Sequence, residues 1–141
     1  MKRKTLYHIN WSNFDNKKKL WSIIVGMLYL LNSLIIPISP QAKGVEVRIR
    51  RVSADEARAL ASGGFMSAVG HEATCRALST LLGVEVPLNR VQVFLRKGDR
   101  ALHFVLRARL PEGTIIGSPE ELEKIGYDLL VSEVVAEELE G

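Results

Sequence analysis

The chain has 141 residues, of which 47% are hydrophobic and 25% are charged. This length suits one domain with a sizeable apolar core, and the density of Leu, Ile and Val excludes disorder for most of the chain. Cys75 is the sole cysteine, which excludes a disulfide scaffold. One cysteine and three scattered histidines do not supply the usual four ligands of a structural zinc site.

The net charge of +3 is unevenly distributed along the chain. Residues 1–26 hold six basic residues and one acidic residue, whereas residues 27–141 hold 13 basic and 15 acidic residues. The basic character therefore belongs to an N-terminal extension, and any anion binding by the body must come from local arrangement. We expect three segments: a basic, aromatic extension at 1–26 that need not belong to the fold, an α/β domain at 27–135 and an acidic C-terminal tail at 136–141.

The first long apolar segment covers residues 20–38 and permits two interpretations. It follows three consecutive lysines, which is typical of a signal peptide or membrane anchor. Asn32 and Ser33 interrupt it, however, and Pro37 follows, so that a buried strand of four to eight residues fits equally well. Hydropathy alone leaves both interpretations open.

The first regular elements are predicted from alternation and capping residues. Apolar residues alternate with charged ones over 45–52, which predicts a half-buried strand. Ser53 begins a capping box and predicts a short helix to about Ala61. A second helix is predicted over 67–82, with Gly83 just after its end.

The second half of the chain is predicted to add a hairpin, a helix and a strand. Two alternating runs, 90–96 and 101–110, are joined by a short turn and predict a β-hairpin. A second capping box at Ser118 predicts a helix that ends at Gly126, followed by a strand at 127–135. The order predicts an α/β fold: a single domain with a mixed sheet of about five strands flanked by helices.

Polar residues on the predicted hairpin give a first indication of a site. One face of each strand carries Arg90, Gln92, Arg96, His103, Arg107 and Arg109. Several guanidinium groups on one sheet face suit phosphate oxygens. Solvent-facing strands also carry arginine without any binding role, so that the pattern alone does not decide.

Two short segments add groups capable of phosphodiester chemistry. Gly70 brings backbone amides within reach of a ligand near a helix start, where an anion is favoured. His71, beside it, is suited to donate a proton to a leaving oxygen, although an isolated histidine at a helix start is more often without a ligand. Arg109 and Glu112 either stabilise a turn as an ion pair or flank a phosphodiester.

In this order the segments resemble those of small viral and prokaryotic ring nucleases, which include a type III anti-CRISPR protein of archaeal viruses. The resemblance spans Met27 to about Val134 and favours a buried strand at 28–36 over a signal sequence. The matching segments are Leu28-Tyr29-Leu30-Leu31-Asn32, Ser67-Ala68-Val69-Gly70-His71-Glu72-Ala73-Thr74, Leu81-Leu82-Gly83-Val84-Glu85-Val86-Pro87-Leu88-Asn89-Arg90-Val91, Arg109-Leu110-Pro111-Glu112-Gly113 and Ile125-Gly126-Tyr127.

The resemblance implies a cytoplasmic homodimer that binds cyclic tetra-adenylate and cuts it, without a metal or cofactor, into linear di-adenylate with a 2′,3′-cyclic phosphate. His71 would be the general acid, the ligand's own 2′-hydroxyl the nucleophile, and Arg109 and Glu112 would act at the same phosphodiester. The implied ligand-binding residues are Asn32, Ser33, Gly70, Arg90 and Val93.

Some positions depart from the family pattern and keep other functions open. Ile35, Pro37 and Val105 stand where the viral relatives have polar residues that contact the messenger, so affinity or specificity would differ. One alternative is a non-catalytic binding module, either a sponge for the messenger or a DNA-binding accessory protein, as the arginine face and basic extension suggest. Another is an exported or membrane-anchored protein, suggested by the apolar segment.

Overall fold

The computed structural model describes residues 3–5, 26–111, 113–116 and 118–140. Within these residues the chain forms three helices and one mixed sheet of six strands, five of them in the predicted domain. The predicted α/β fold is confirmed. In chain order the elements are β1 (Arg3–Thr5), β2 (Leu28–Leu31), β3 (Ala42–Arg51), α1 (Ala54–Ser62), β4 (Met66–Ser67), α2 (Glu72–Leu82), β5 (Arg100–Leu106), α3 (Pro119–Ile125) and β6 (Tyr127–Glu140).

Three parallel strands lie side by side in the sheet. β2 lies between β4 and β5 and runs parallel to both, with Leu31 opposite His103 in the register with β5. β6 is antiparallel to β5 on one side and to β3 on the other. The loops that leave β2, β4 and β5 therefore start at the same end of the sheet, where the strands have their carboxyl ends, at Asn32, Ala68 and Arg107. In α/β proteins ligands usually bind at the carboxyl ends of the parallel strands.

The core explains why β2 has a continuous apolar sequence. Successive side chains of a strand point to opposite faces, and both faces of β2 are covered. Leu30 packs with the helices on one face, in a cluster that includes Leu78 and Phe104. Leu31 packs on the other face against Leu95. The predicted buried strand is confirmed but ends at Leu31, because a polar bend follows it.

Both predicted capping boxes begin helices where expected. The Ser53 side chain accepts a hydrogen bond from the Glu56 amide at 3.1 Å at the start of α1. The Ser118 side chain accepts one from the Glu121 amide at 3.4 Å at the start of α3. Each bond satisfies a backbone donor that the first turn of a helix leaves without a partner.

The start of α2 differs from the prediction. The helix begins at Glu72, five residues later than expected, because Met66 and Ser67 pair with β2 as strand β4. Its end is as predicted: Gly83 adopts a left-handed conformation with φ +70°, which closes the last turn. The later start makes His71 the residue that caps the helix.

The predicted β-hairpin is wrong in its first strand. The second strand is present as β5 but ends at Leu106 instead of Leu110, and a turn precedes it, in which the Asp99 amide donates to the Arg96 carbonyl at 2.8 Å. Residues 90–96, however, form only one isolated bridge, between Leu95 and Ile38. β5 already has β2 and β6 on its two edges, so that no edge remains for a hairpin partner.

The last strand is longer than predicted. It continues to Glu140 because β3 pairs along its length, so residues 136–140, expected as an acidic tail, belong to the sheet. Glu137 is buried there and accepts a hydrogen bond from Arg96 Nε at 2.7 Å. Of the N-terminal extension, expected to lie outside the fold, residues 3–5 pair with 138–140 as β1 and so belong to the sheet, and residues 1–2 and 6–25 lie outside the described residues. None of the helices in the described part of the chain is long and apolar enough to cross a membrane.

Candidate functional site

A cleft of about 350 Å³ opens at the carboxyl ends of the parallel strands. Three residues predicted for the site line it together: Asn32 after β2, His71 after β4 and Arg109 after β5. These residues are distant in sequence, and the parallel arrangement of the three strands brings them together. The remaining lining residues are Thr74, Phe104, Val105, Leu106, Arg107, Ala108 and Leu110.

His71 is held in the cleft because it caps α2. Its Nδ1 accepts a hydrogen bond from the Thr74 amide at 3.3 Å, the role that Ser, Thr, Asp or Asn usually fills at a helix start. An acceptor nitrogen has no proton, so this geometry assigns the proton of the neutral ring to Nε2. The half-buried ring is therefore fixed in both position and tautomer by the helix.

Thr74 has a second contact with the same ring nitrogen. Its Oγ1 lies 3.1 Å from Nδ1 of His71, and the threonine is buried in the wall of the cleft. A hydroxyl both donates and accepts hydrogen bonds. Oγ1 can thus accept from Nδ1 when the imidazole has two protons, the form in which the Thr74 amide no longer donates to Nδ1.

Gly70 and Arg90 lie against each other next to His71. Arg90 Nε donates a hydrogen bond to the Gly70 carbonyl at 2.9 Å. A Cβ added at position 70 would come within 3.1 Å of Arg90 Cγ, a contact tighter than most real ones. Glycine at this position therefore lets the arginine pass closely over the backbone at the start of the His71 loop.

Two arginines that follow β5 line the cleft, and one of them has a carboxylate partner outside it. Arg107 donates a hydrogen bond to Asp128 at 3.0 Å, and Arg51 donates to the same carboxylate at 2.7 Å. These hydrogen bonds hold the pKa of Asp128 below its usual value and raise the pKa of Arg107. Arg109 is exposed and lines the cleft two residues further on. Glu112, the third predicted catalytic residue, lies outside the described residues.

The predicted arginine face does not form as one surface. Arg96 pairs with the buried Glu137 instead of facing a ligand. His103 is fully buried, with hydrogen bonds to Ser33 and Ser132. The alternation predicts a solvent-facing side of a hairpin, whereas β5 lies inside the sheet and both of its faces are covered.

Ser33 and Val93, also predicted to bind the ligand, line a second depression of about 200 Å³. Its other lining residues are Leu31, Ile35, Pro37, Val91 and Gln92. Asn32 and Ser33 are consecutive, yet they line different depressions. The bend after β2 therefore forms the boundary between the two. Two positions that depart from the family pattern line these depressions: Val105 lines the cleft, and Ile35 lines the second depression.

Sequence reasoning missed the role of Thr74 and the burial of His103. The signal for Thr74 was present: it stands three residues after His71, the spacing of a cap and the amide it binds. Histidine is not among the preferred capping residues, so the spacing alone does not predict a cap. For His103 the sequence has no such signal, because its partners are 70 and 29 residues away.

The fold and the cleft together define a small single-domain α/β protein with a helix-capping histidine and two arginines, one of them paired with Asp128, at the carboxyl ends of parallel strands. This arrangement suits an anionic ligand. The sequence profile of the STIV B116-like family matches residues 28–129, and the chain belongs to this family.

Two viral proteins are similar over most of their length. Protein 26 of Sulfolobus islandicus filamentous virus (isolate Iceland/Hveragerdi) is 44% identical, over 79% of this chain and 95% of its own. Protein ORF117 of Acidianus two-tailed virus is 45% identical, over 78% of this chain and 92% of its own. Among solved structures, B116 of Sulfolobus turreted icosahedral virus matches with a TM-score of 0.64 and 23% identity, over 77% of this chain and 99% of that chain, a likeness of fold.

Proposed function

We propose that the protein is a metal-independent ring nuclease that binds cyclic tetra-adenylate and cuts it to linear di-adenylate with a 2′,3′-cyclic phosphate. It thereby switches off type III CRISPR signalling in the cytoplasm of a prokaryotic cell or infected host. One observation carries the proposal: Asn32, His71 and Arg109, distant in sequence and each expected from the resemblance, line the same cleft.

The proposed reaction needs no nucleophile from the protein. The 2′-hydroxyl of one adenosine attacks the adjacent phosphorus, the bond to the 5′-oxygen of the next ribose breaks, and a 2′,3′-cyclic phosphate remains. The leaving 5′-oxygen takes the Nε2 proton of the doubly protonated His71 imidazole, and the attacking hydroxyl gives its own proton to a solvent water molecule. Two such cuts convert the ring into two di-adenylate molecules.

The cleft supplies groups for the remaining needs of this reaction. Because Nδ1 of His71 is bound by Thr74, Nε2 is the atom that we assign to proton donation. Arg109 stabilises the charge that develops on the phosphoryl oxygens. Glu112, three residues further, orients the histidine or the nucleophile in this proposal. Asn32, with Gly70 and Arg90 beside His71, would hold the messenger in the orientation required for in-line attack.

The active form in this proposal is a homodimer. A cyclic ligand with rotational symmetry fits a twofold interface, which presents two equivalent copies of His71 to it. Large apolar side chains are exposed in and beside the second depression: Leu34 is 49% exposed, Ile35 67% and Val91 46%. Such a patch next to a binding cleft supports an interface there between two copies of this chain. Ser33 and Val93 would then contact the ligand close to the interface.

Incubation with cyclic tetra-adenylate in excess EDTA tests the proposal. We expect conversion to di-adenylate with a cyclic phosphate, identified by chromatography and mass. Arg109→Ala should lower the single-turnover rate at least roughly a hundredfold, the scale of losing one charge-stabilising group. Arg48→Ala is the matched control, an exposed arginine on β3 outside the cleft, and should leave the rate unchanged. No product from the wild-type protein after long incubation would refute the enzymatic proposal.

A second candidate, a non-catalytic sponge for the same messenger, is favoured by Val105. This apolar residue lines the cleft at a position where the resemblance implies a polar contact. Binding without cleavage would establish the sponge. If the protein neither binds nor cuts the messenger, salt-dependent binding to duplex DNA is the next measurement.

A further inference from the structure

A buried histidine connects the sheet to the bend between the two depressions. His103 is 0% exposed, its Nδ1 lies 2.8 Å from the Ser33 carbonyl oxygen, and its Nε2 lies 2.7 Å from Ser132 Oγ. A carbonyl oxygen only accepts hydrogen bonds, so Nδ1 has the proton and donates it. Nε2 of the neutral ring then accepts from the Ser132 hydroxyl. One tautomer thus satisfies both partners.

The environment makes this ring unusual. Its neighbours in β5, Leu102 and Phe104, are fully buried apolar residues, and an apolar side chain at 103 would be the simpler way to fill the sheet. A buried imidazole costs free energy unless both nitrogens are hydrogen-bonded. The two bonds reach β6 on one side and the end of β2 on the other.

The bond to Ser33 lies where the regular pairing of β2 and β5 has ended. Leu31 is the last residue of β2 and stands opposite His103 in the register. The next two residues form the bend: Asn32 lines the cleft with His71, and Ser33 lines the second depression. The imidazole therefore connects β5 to the chain beyond the last paired residue of β2. The carbonyl that it binds belongs to the bend that separates the cleft from the second depression.

We propose that His103 is a positioning residue: its bond to the Ser33 carbonyl fixes the bend after β2 and thereby holds Asn32 in the ligand cleft. That the ligand is cyclic tetra-adenylate rests on the proposed function above. Fixing the bend does not rest on it, because the bond is a property of the protein without ligand.

Two substitutions separate the hydrogen bonds of the ring. An asparagine amide nitrogen lies close to the position of Nδ1, and a glutamine amide lies close to that of Nε2. His103→Asn therefore keeps the donor to Ser33, whereas His103→Gln keeps a partner for Ser132 and loses the bond to the bend. Both variants remove the ring, so that the loss of packing is similar in the two.

Hydrogen–deuterium exchange without ligand gives the first measurement. In His103→Gln we expect the amides of residues 32–36 to exchange roughly tenfold faster, the effect of one lost buried hydrogen bond. In His103→Asn they should stay within about threefold of wild type. Ser132→Ala keeps the ring and its bond to Ser33 and should leave the bend unchanged. Equal exchange of the bend in the Gln and Asn variants, or faster exchange in Ser132→Ala, would overturn the proposal.

Ligand measurements then show whether the bend acts through Asn32. His103→Gln should raise KM for cyclic tetra-adenylate roughly tenfold and change kcat little, and His103→Asn should restore most of the affinity. In Asn32→Ala the further His103→Gln change should have almost no effect, because both alter the same contact. Additive losses would contradict this route. If the wild-type protein does not bind the messenger, the proposed function fails, and the exchange comparison still decides the positioning role.

Discussion

The residue that the account depends on most is His71, because it has two roles. It caps α2 through Nδ1, and it is the proton donor in the proposed reaction. Alanine at this position would remove both roles and so would not separate them. Asparagine removes only the acid, since its side-chain oxygen accepts the Thr74 amide as a capping residue does.

We predict that the two substitutions differ in folding stability. His71→Ala should lower the free energy of unfolding by about 1 kcal/mol, the usual loss for an N-cap changed to alanine. His71→Asn should stay within a few tenths of a kcal/mol of wild type. Urea titration followed by circular dichroism measures both. Equal losses in the two variants would mean that His71 does not stabilise the start of α2.

At the scale of elements, the sheet buries an ionisable group, the imidazole of His103. Burial lowers the pKa of His103, whereas its hydrogen bond to Ser33 acts in the opposite direction and is the smaller effect. In the unfolded chain a histidine has a pKa of about 6.5. Between that value and the lowered pKa of the native state, the unfolded chain binds more protons, so that stability falls as the pH falls.

We therefore predict a loss of stability below about pH 6.5 that depends on His103. Its contribution is at most about 1.4 kcal/mol per pH unit, the limit for a single proton. His103→Asn lacks this group, so its unfolding free energy should change less between pH 7.5 and pH 5.5 than that of the wild type. Urea titrations at the two pH values measure the difference. Identical changes in the two proteins would contradict the prediction.

Helices that begin with a capping residue were predictable from the sequence. The pairing of strands, which depends on residues far along the chain, was not. Ser53 and Ser118 start helices through contacts only three residues away, and such contacts are visible in the sequence. The alternation at 90–96 also exists, but alternation does not say which strand is the partner. β5 pairs with β2 and β6 through register contacts that no local pattern specifies. The same limit hid the later start of α2, since Ser67 pairs with Leu30.

At the scale of the whole molecule, the residues of the cleft were predictable, but their division between two depressions was not. The resemblance supplied Asn32, His71 and Arg109, and the parallel order of β2, β4 and β5 explains why they line one cleft. Sequence alone did not place Ser33 and Val93 in a second depression, because that depends on residues 90–96 forming a loop instead of a strand beside β5. In the proposed homodimer, two such clefts would serve one ring, and the exposed apolar residues near Ile35 would lie between them.

The most direct test compares binding with cutting in the same protein. Calorimetry gives the affinity of wild type and His71→Asn for cyclic tetra-adenylate, and a single-turnover assay in EDTA gives the cleavage rate of each. We predict equal affinity within about threefold and a cleavage rate at least roughly a hundredfold lower in the variant, since a positioned general acid contributes that much. If His71→Asn cuts the messenger as fast as the wild type, the cleft described here is not where the ring is opened.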